Sequence, residues 1–471
     1  MWVVAVLVSV AVTFLCFPPF PLGPALLVGL VPLFWALDRA PTWKAAFFRA
    51  WIYVFVGNAA ICIWVAAAVR DFGHVPWVLG LAAVLAVSAF EHIAWPIAAA
   101  LRHWIRGRSG GRIPLYWTPA VIVSLDAFLP KLFPDTVGNG LYSVAWLAQS
   151  ADLVGTWGLT GLVAATNEAV AMHFSPAPSQ EKRRHAFAAA ALLVFFTGYG
   201  AARWYWVQGV KASPAATIRM GLVQPNVNTF VKVRAQTDRG RARRDVFELL
   251  WRMTESAAER APDVIFWPET TFPTGYLPPG DPARATDVDQ ALLTAELETR
   301  VKRLKIPLLF GTPIHDRGHR YNGLVLLSPK GDGVESQDYR KLRLLLLGEY
   351  APLESWFPGF WKRVRSGGTA AYEAGSEAVV FPTAKAVLGP MICLEGLDAI
   401  LVRDLVLRGA QVLVNATNDA WFGAGTEPAL HLQLTAFRAI ELRRPLVRAT
   451  NTGYSAVIDI DGTLARPEKD A

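Results

Sequence analysis

The sequence predicts a multi-span α-helical membrane domain over residues 1–210, followed by a layered α/β domain over 215–471. Three observations predict this. The chain of 471 residues is 53% hydrophobic with a mean hydropathy of +0.30, too apolar for an ordinary soluble protein, and the long apolar runs are confined to residues 1–207. Basic residues gather in alternate loops of that first part, as in multi-span proteins. After residue 215, short apolar runs alternate with amphipathic, helix-like stretches, which is the pattern of a layered α/β domain.

Seven spans are predicted, at about 2–17, 22–37, 47–69, 76–101, 115–130, 152–173 and 187–207. A spanning helix needs roughly 17–25 apolar residues, so the first, second and fifth are short. Pro18-Pro19-Phe20-Pro21 separates the first two and fits a tight helical hairpin. The first run lacks a basic start and an Ala-x-Ala-like end, and a second apolar run follows at once, which excludes a cleaved signal peptide. Glu91 and Glu168 fall inside apolar spans, where a carboxylate is costly; they are expected to face other helices and to be hydrogen-bonded there.

Arg39, Lys44 and Arg49 lie between spans two and three; Arg102, Arg106, Arg108 and Arg112 between four and five; Lys182, Arg183 and Arg184 between six and seven. The other loops offer only Arg70 and Lys131. The positive-inside rule makes the first set cytoplasmic, and an odd number of spans then places everything after residue 207 on the outer side. The net charge of +8 does not point to nucleic acid. Residues 1–207 hold 13 Lys+Arg against 8 Asp+Glu, mostly in loops that set topology, and residues 208–471 are nearly balanced at 33 against 30. There is no zinc-finger spacing, no phosphate-binding glycine loop and no Cys/His cluster, so no metal or cofactor is expected.

In the second part, strands are predicted at 217–224, 264–267, 307–311, 323–327, 336–340, 411–415 and 455–459, with helices at about 236–260 and 288–304. Cys16 and Cys62 lie in apolar spans, so Cys393 is the one thiol of this part and no disulfide framework is available to it. The apolar run Ala386-Val387-Leu388 feeds Gly389-Pro390-Met391-Ile392-Cys393-Leu394-Glu395, and a helix-like stretch follows from Ala399. A strand-to-helix turn exposes a nucleophile and brings backbone N–H groups near a developing oxyanion; the ordinary alternative is a small buried core residue. Glu269 follows the strand Val264–Trp267, Lys341 follows the strand bearing Tyr339, and Glu349 comes shortly after Lys341. Strand ends are where α/β sheets carry chemistry. A thiol must lose its proton to become a nucleophile, a poorly solvated carboxylate serves as base, and a nearby ammonium stabilises the thiolate and the oxyanion. The alternatives are a helix N-cap for Glu269 and a surface position for Lys341.

Trp267-Pro268-Glu269, Tyr339-Arg340-Lys341, Gly348-Glu349-Tyr350-Ala351-Pro352 and Ile392-Cys393-Leu394-Glu395 occur in the order seen in the nitrilase superfamily. With Asn418-Asp419-Ala420-Trp421-Phe422-Gly423, Arg448-Ala449-Thr450-Asn451-Thr452-Gly453 and the membrane part ahead, nearly the whole chain resembles the apolipoprotein N-acyltransferases of bacterial envelopes. The resemblance implies an αββα sandwich and a triad of Glu269 as general base, Lys341 as oxyanion and thiolate stabiliser and Cys393 as nucleophile. It implies Glu349 as a second essential glutamate and the backbone N–H of Leu394 as a partner of Lys341 at the oxyanion. Tyr350, Glu395, Asn418, Trp421 and Phe422 would line or shape the substrate site. The implied reaction moves an acyl chain from a phospholipid, phosphatidylethanolamine above others, through a thioester on Cys393. The acceptor is the α-amino group of the lipidated N-terminal cysteine of a diacylglyceryl apolipoprotein. The implied setting is a monomer in the bacterial inner membrane with its catalytic domain on the periplasmic side.

Three departures from the family stand out. Leu394 stands where the family commonly has Tyr after the nucleophile. In the loop after the first strand, where the family often has Trp, the matching region Thr229-Phe230-Val231-Lys232-Val233 offers Phe230. The family ends with further strands and a last membrane helix, whereas this sequence stops at Pro467-Glu468-Lys469-Asp470-Ala471 without an eighth span. Two other functions share the same residues: a membrane-tethered amidase or nitrilase-type hydrolase with water as acceptor, and a catalytically silent lipid- or lipoprotein-binding protein, against which the intact Glu269, Lys341 and Cys393 argue.

Overall fold

The structure, a computed structural model, describes every residue except 74–75, 214–215, 228–239, 278–287, 347, 351–355, 357–371, 423–424 and 466–471, and the side chains at 71–73 and 421–422 are outside it as well. The chain divides into two compact units, Met1–Ser213 with Gly425–Arg443, and Pro214–Ala424 with Arg444–Ala471.

The first unit is helical. Its α-helices up to Ser213 are α1 (Trp2–Phe14), α2 (Leu26–Gly29), α3 (Val31–Asp38), α4 (Trp43–Ile61), α5 (Trp64–Gly73), α6 (Trp77–Phe90), α7 (Ala94–Arg108), α8 (Trp117–Phe128), α9 (Ala145–Ala148), α10 (Ala151–His173) and α11 (Ser179–Ala212). Among the described residues, two helical stretches are long and apolar enough to cross a membrane, Trp77–Arg108 and Ser179–Ala212. A third is counted if α4 and Trp64–Arg70, bent by 59°, form one span; Trp2–Phe14, Gly23–Asp38 and Trp117–Phe128 are apolar but shorter. The unit is therefore membrane-associated by helix length and composition. Thr42 starts α4 by accepting the Ala45 N–H on its hydroxyl. Gly155, at φ 66°, breaks the first turn of α10 from the rest, a conformation only glycine adopts cheaply.

Its core packs α1, α3, α4 and α10 around Val6, Leu30, Phe34, Tyr53, Leu159 and Val163. Buried charges here are paired or hydrogen-bonded, since an apolar interior penalises a charge left without either. Arg102 lies between Asp38 at 2.5 Å and Glu168 at 3.0 Å, Thr118 donates to Glu168, and Arg106 reaches Asp38 at 2.7 Å. Glu91 accepts the backbone N–H groups of Leu132 and Phe133. The sequence places Arg102, Arg106 and Arg108 in a loop; they belong instead to the last turns of α7, where a cation complements the helix dipole and where Asp38 and Glu168 draw Arg102 into the interior.

The second unit contains two sheets. Strands β1 (Met220–Leu222), β2 (Val264–Phe266), β3 (Leu308–Asp316), β4 (His319–Lys330) and β5 (Gly333–Arg340) form one in that order. Strands β6 (Phe381–Pro382), β7 (Val387–Ile392), β8 (Val412–Thr417), β9 (Leu446–Thr450), β10 (Ala456–Ile458) and β11 (Leu464–Ala465) form the other, in the order β11-β10-β9-β8-β7-β6. The first is parallel on one side, β1-β2-β3, and antiparallel on the other, β4 and β5; the second has a parallel centre, β7-β8-β9, with antiparallel edges. Helices α12 (Arg241–Ala258) and α13 (Val288–Leu304) cover the outer face of the first sheet, and α14 (Ala399–Leu407) packs on β7.

Side-chain alternation decides which face each residue serves. Val264, Phe266, Leu309, Leu324 and Leu326 point between the sheets, against Leu388, Ile392, Val414 and Val447. Ile265, Trp267, Leu308, Phe310, Val325 and Leu327 point the other way, onto Phe247 and Leu250 of α12 and Leu297 and Val301 of α13. Both faces of β2, β3 and β4 are thus covered, so these strands read as unbroken apolar runs rather than as alternation.

The predicted strand pair 323–327 and 336–340 extends to β4 and β5, because the turn Pro329–Gly333 lets the hairpin ladder run from Lys330↔Gly333 to Gly323↔Arg340. Three elements were not predicted from sequence: β9, whose motif hides a strand, and the short edges β6 and β11. A fourth is α15 (Glu427–Leu442), which follows β8 in the chain yet packs within the helical unit, with Phe437 and Ile440 in its core. There Gln433 donates to the Asn139 carbonyl and Arg443 pairs with Asp152 at 2.8 Å.

Candidate functional site

The directions of the strands assemble the site. Strands β2 and β3 are parallel and β4 is antiparallel to β3; a second antiparallel step makes β5 run the same way as β2. Glu269, just after β2, and Lys341, just after β5, therefore leave the sheet at one edge. The same edge receives the start of β4, which carries Asn322; the Lys341 N–H donates to the Asn322 carbonyl at 2.8 Å, adding one more rung to the ladder. Gly311 of β3 allows the turn at Glu269 to come close: its N–H donates to the Pro268 carbonyl, and a side chain there would press on that carbonyl and on Glu269 Cα.

Lys341 Nζ is 2.8 Å from Glu349 Oε2 and 3.6 Å from Glu269 Oε1. Asn322 Nδ2 donates to Glu269 Oε1 and to Glu349 Oε1, both at 2.7 Å, and the Leu345 N–H donates to Glu349 Oε2. All four side chains are buried, Lys341 at 1% exposure. Lys341 is therefore no surface lysine and Glu269 no helix cap; the ordinary alternatives fail because both strand ends turn inward. Burial alone would push the Lys341 ammonium down, but the carboxylates of Glu349 and Glu269 outweigh it and hold it above its ordinary value. It is a cation at any physiological pH.

Cys393 follows β7 at the carboxyl end of the other sheet and opens the short helical turn Cys393–Leu397. Its φ of 54° is left-handed, a strained conformation for a residue with a side chain. Asp398 then starts α14 by accepting the N–H groups of Ile400 and Leu401. The Cys393 side chain is buried at 4% exposure among the residues between the sheets. Burial pushes its thiol well up, the Glu269 carboxylate pushes the same way, and Lys341 pulls it down. At neutral pH the group is a thiol, which needs a base to become a nucleophile.

The remaining predicted residues are placed differently. Glu395 is fully buried and has all its oxygens engaged: Oε1 accepts from Tyr339 Oη and from the N–H groups of Leu342 and Arg343, and Oε2 from the N–H of Ile392. It ties the turn after Lys341 to the turn of Cys393. Asn418 is buried and accepts from Asn451 Nδ2 at 2.9 Å. Leu394 is half-buried beside the intersheet core, and Tyr350 is exposed at 39%. Trp421 and Phe422 lie on a short helical turn, Asp419–Phe422, with side chains outside the described residues, as is Phe230.

Burial pushes the Glu395 carboxyl up to about 7, against the opposing pull of Lys341 and its hydrogen-bond donors. A folded value above the ordinary one means that the folded protein holds this proton more tightly than the unfolded chain. The group's contribution to stability is then fully present at low pH and is lost as pH rises through about 7. Glu395→Gln is expected to flatten the fall in thermal midpoint between about pH 5 and about pH 8. An unaltered slope in that variant would assign the dependence to other groups.

Three residues around the site have no signal in the sequence reading: Asn322, Asn415 and Arg448. Asn415 Nδ2 donates to the Cys393 carbonyl at 3.1 Å, Arg448 Nη1 donates to Asn415 Oδ1 at 2.9 Å, and Arg448 Nη2 lies 3.0 Å from both oxygens of Asp419. Arg448 stands in a motif quoted from the sequence, but nothing local announces that it is fully buried.

Residues 223–469 match the carbon-nitrogen hydrolase family, and residues 9–169 match the apolipoprotein N-acyltransferase N-terminal domain. An apolipoprotein N-acyltransferase of Bdellovibrio bacteriovorus is 30% identical over 98% of this chain and 84% of its own. One of Geobacter metallireducens is 28% identical over 96% of this chain and 84% of its own. Among solved structures, an amidase from Nesterenkonia sp. is similar at 21% identity and a TM-score of 0.35, covering 47% of this chain and 79% of the amidase.

Proposed function

The chain belongs to the apolipoprotein N-acyltransferase family, and from that membership we propose that it moves an acyl chain from a phospholipid to the α-amino group of a diacylglyceryl lipoprotein. The observation that carries this reading is the buried Glu269–Lys341–Glu349 cluster acting on a buried thiol, Cys393, in a chain with helices long enough to cross a membrane.

In the first step, Glu269 takes the thiol proton as Cys393 Sγ adds to the ester carbonyl of the phospholipid. The carbonyl oxygen becomes an oxyanion facing the Lys341 ammonium and the backbone N–H of Leu394. The intermediate collapses to a thioester, and the lysophospholipid leaves with the proton from Glu269. In the second step, the amine adds to the thioester and loses its proton to Glu269. The resulting oxyanion collapses to an amide, and the thiolate takes the proton back. Burial of the four groups suits a thioester that must wait for an amine, because water would hydrolyse it.

The sequence expects seven spans, whereas among the described residues two helical stretches, or three with the bent pair, are long and apolar enough to cross; a spanning arrangement with the catalytic unit on the outer side draws its support from α11. From Arg184 to Trp204 the helix advances about 30 Å at ~1.5 Å per residue, which matches the hydrocarbon thickness. Lys182, Arg183 and Arg184 stand at one end of that stretch, and Trp204, Tyr205 and Trp206, all exposed, form an aromatic belt at the other. Residues 215–471 form the catalytic domain in this arrangement, apart from α15, which belongs to the helical unit.

The test uses the full chain in detergent with phosphatidylethanolamine and a diacylated lipopeptide, followed by mass spectrometry. The expected products are an acyl adduct on Cys393 and an N-acylated lipopeptide. Free fatty acid without N-acylated lipopeptide would show a hydrolase instead.

A further inference from the structure

We infer that Asn415, backed by Arg448, is a positioning residue that sets the oxyanion site by fixing the peptide plane between Cys393 and Leu394. This rests on the reading of Cys393 as the acylated nucleophile. The Cys393 carbonyl is held by Asn415 Nδ2 at 3.1 Å. In a trans peptide the carbonyl and the following N–H point in opposite directions. Holding the Cys393 oxygen toward β8 therefore turns the Leu394 N–H to the opposite side.

The plane needs such a hold. Cys393 has a φ of 54°, a conformation from which a residue with a side chain relaxes unless its surroundings prevent it. Rotation of the 393–394 peptide, through ψ of Cys393 and φ of Leu394, would swing the Leu394 N–H away, and the bond from Asn415 opposes that rotation. Asn415 sits on β8 beside β7, in register with Met391, so its amide comes from a rigid strand rather than a loop. An Asn side chain has two orientations, and Arg448 selects one: by donating to Asn415 Oδ1 at 2.9 Å it leaves Nδ2 facing Cys393. Arg448 is anchored in turn on both Asp419 oxygens. Asn415 and Arg448 are fully buried and Asp419 is nearly so. The chain Asp419–Arg448–Asn415–Cys393 thus runs across β9, β8 and β7 and ends on the peptide that follows the nucleophile.

Two reactions at Cys393 separate this role from general structural support. Acylation by a p-nitrophenyl ester passes through a tetrahedral oxyanion: sulfur adds to the carbonyl, and p-nitrophenolate leaves. Alkylation by iodoacetamide does not: sulfur displaces iodide at a saturated carbon. Asn415→Asp keeps the shape and the pairing with Arg448 but loses the donor. It is expected to slow acylation of the full chain in detergent by about 10²-fold while leaving alkylation of Cys393, followed by mass spectrometry, near the parent rate. Arg448→Lys, which keeps the charge but loses the fork that orients Asn415, is expected to lower the acylation-to-alkylation ratio by a smaller factor, and its ratio decides the matter if Asn415→Asp does not fold. An unchanged ratio, or equal losses in both reactions, overturns the inference. Failure of the nucleophile reading is distinguishable, because the parent protein would then show no acyl adduct at Cys393 at all.

Discussion

Cys393→Ala is expected to abolish the acyl adduct and to lower transfer on the order of 10⁵-fold or more, the scale seen when a covalent nucleophile is deleted. The fold should survive. The substitution removes one atom from a side chain packed between the sheets, a cost of about 1 kcal/mol, and the left-handed backbone remains under the hold of Asn415. Loss of transfer with a thermal midpoint lowered by only about 2–4 °C is the expected pair of results, read by mass spectrometry and thermal unfolding in detergent. Retained N-acylation by this variant would remove Cys393 from the mechanism.

The second large effect is expected at Lys341. Its ammonium is fully buried between Glu349 and Glu269 and is the cation that balances them. Lys341→Met keeps the length of the side chain and deletes the charge. Two carboxylates bridged by Asn322 would then face each other in a poorly solvated site. Breaking a buried pair in this way costs about 3–5 kcal/mol. Catalysis should suffer separately, by about 10²–10³-fold, because the oxyanion loses a charged partner. The double variant Lys341→Met with Glu349→Gln removes one of the stranded charges. It is expected to recover much of the stability and none of the activity. A Lys341→Met protein as stable as the parent would contradict an ionised cluster. Recovery of activity in the double variant would contradict a role for the ammonium at the oxyanion.

Much of the site is legible in the sequence because strand ends are local features. Glu269, Lys341 and Cys393 each follow a short apolar run, and such runs mark buried strands without any knowledge of their neighbours. What the runs do not reveal is which strands run in the same sense. Lys341 joins Glu269 only because two antiparallel steps restore the direction of β2 in β5. Glu395 shows the limit from the other side. Its place two residues after Cys393 gives no sign that its oxygens bind Tyr339, Leu342, Arg343 and Ile392 and join two turns. Asn322, Asn415 and Arg448 are invisible to a local reading because a polar residue in a strand ordinarily signals a solvent-facing position.

The sequence by itself determined the division into an apolar helical part and an α/β part, and singled out the lone thiol of the second part together with Glu269, Lys341 and Glu349, which the structure buries in one cluster. Each of these follows from composition, short-range periodicity or a motif, all of which are written along the chain. Only the tertiary structure decided that Arg102 is an interior residue, that α15 packs with the helical unit, and that Asn415 and Arg448 hold the backbone of Cys393. The physical reason is the same in each case. A buried polar group needs a partner, and the partner lies tens of residues away in the chain, at a distance set by how strands register and helices pack. The lone thiol could be picked out from the sequence; the orientation of the peptide that follows it depends on the neighbouring strands.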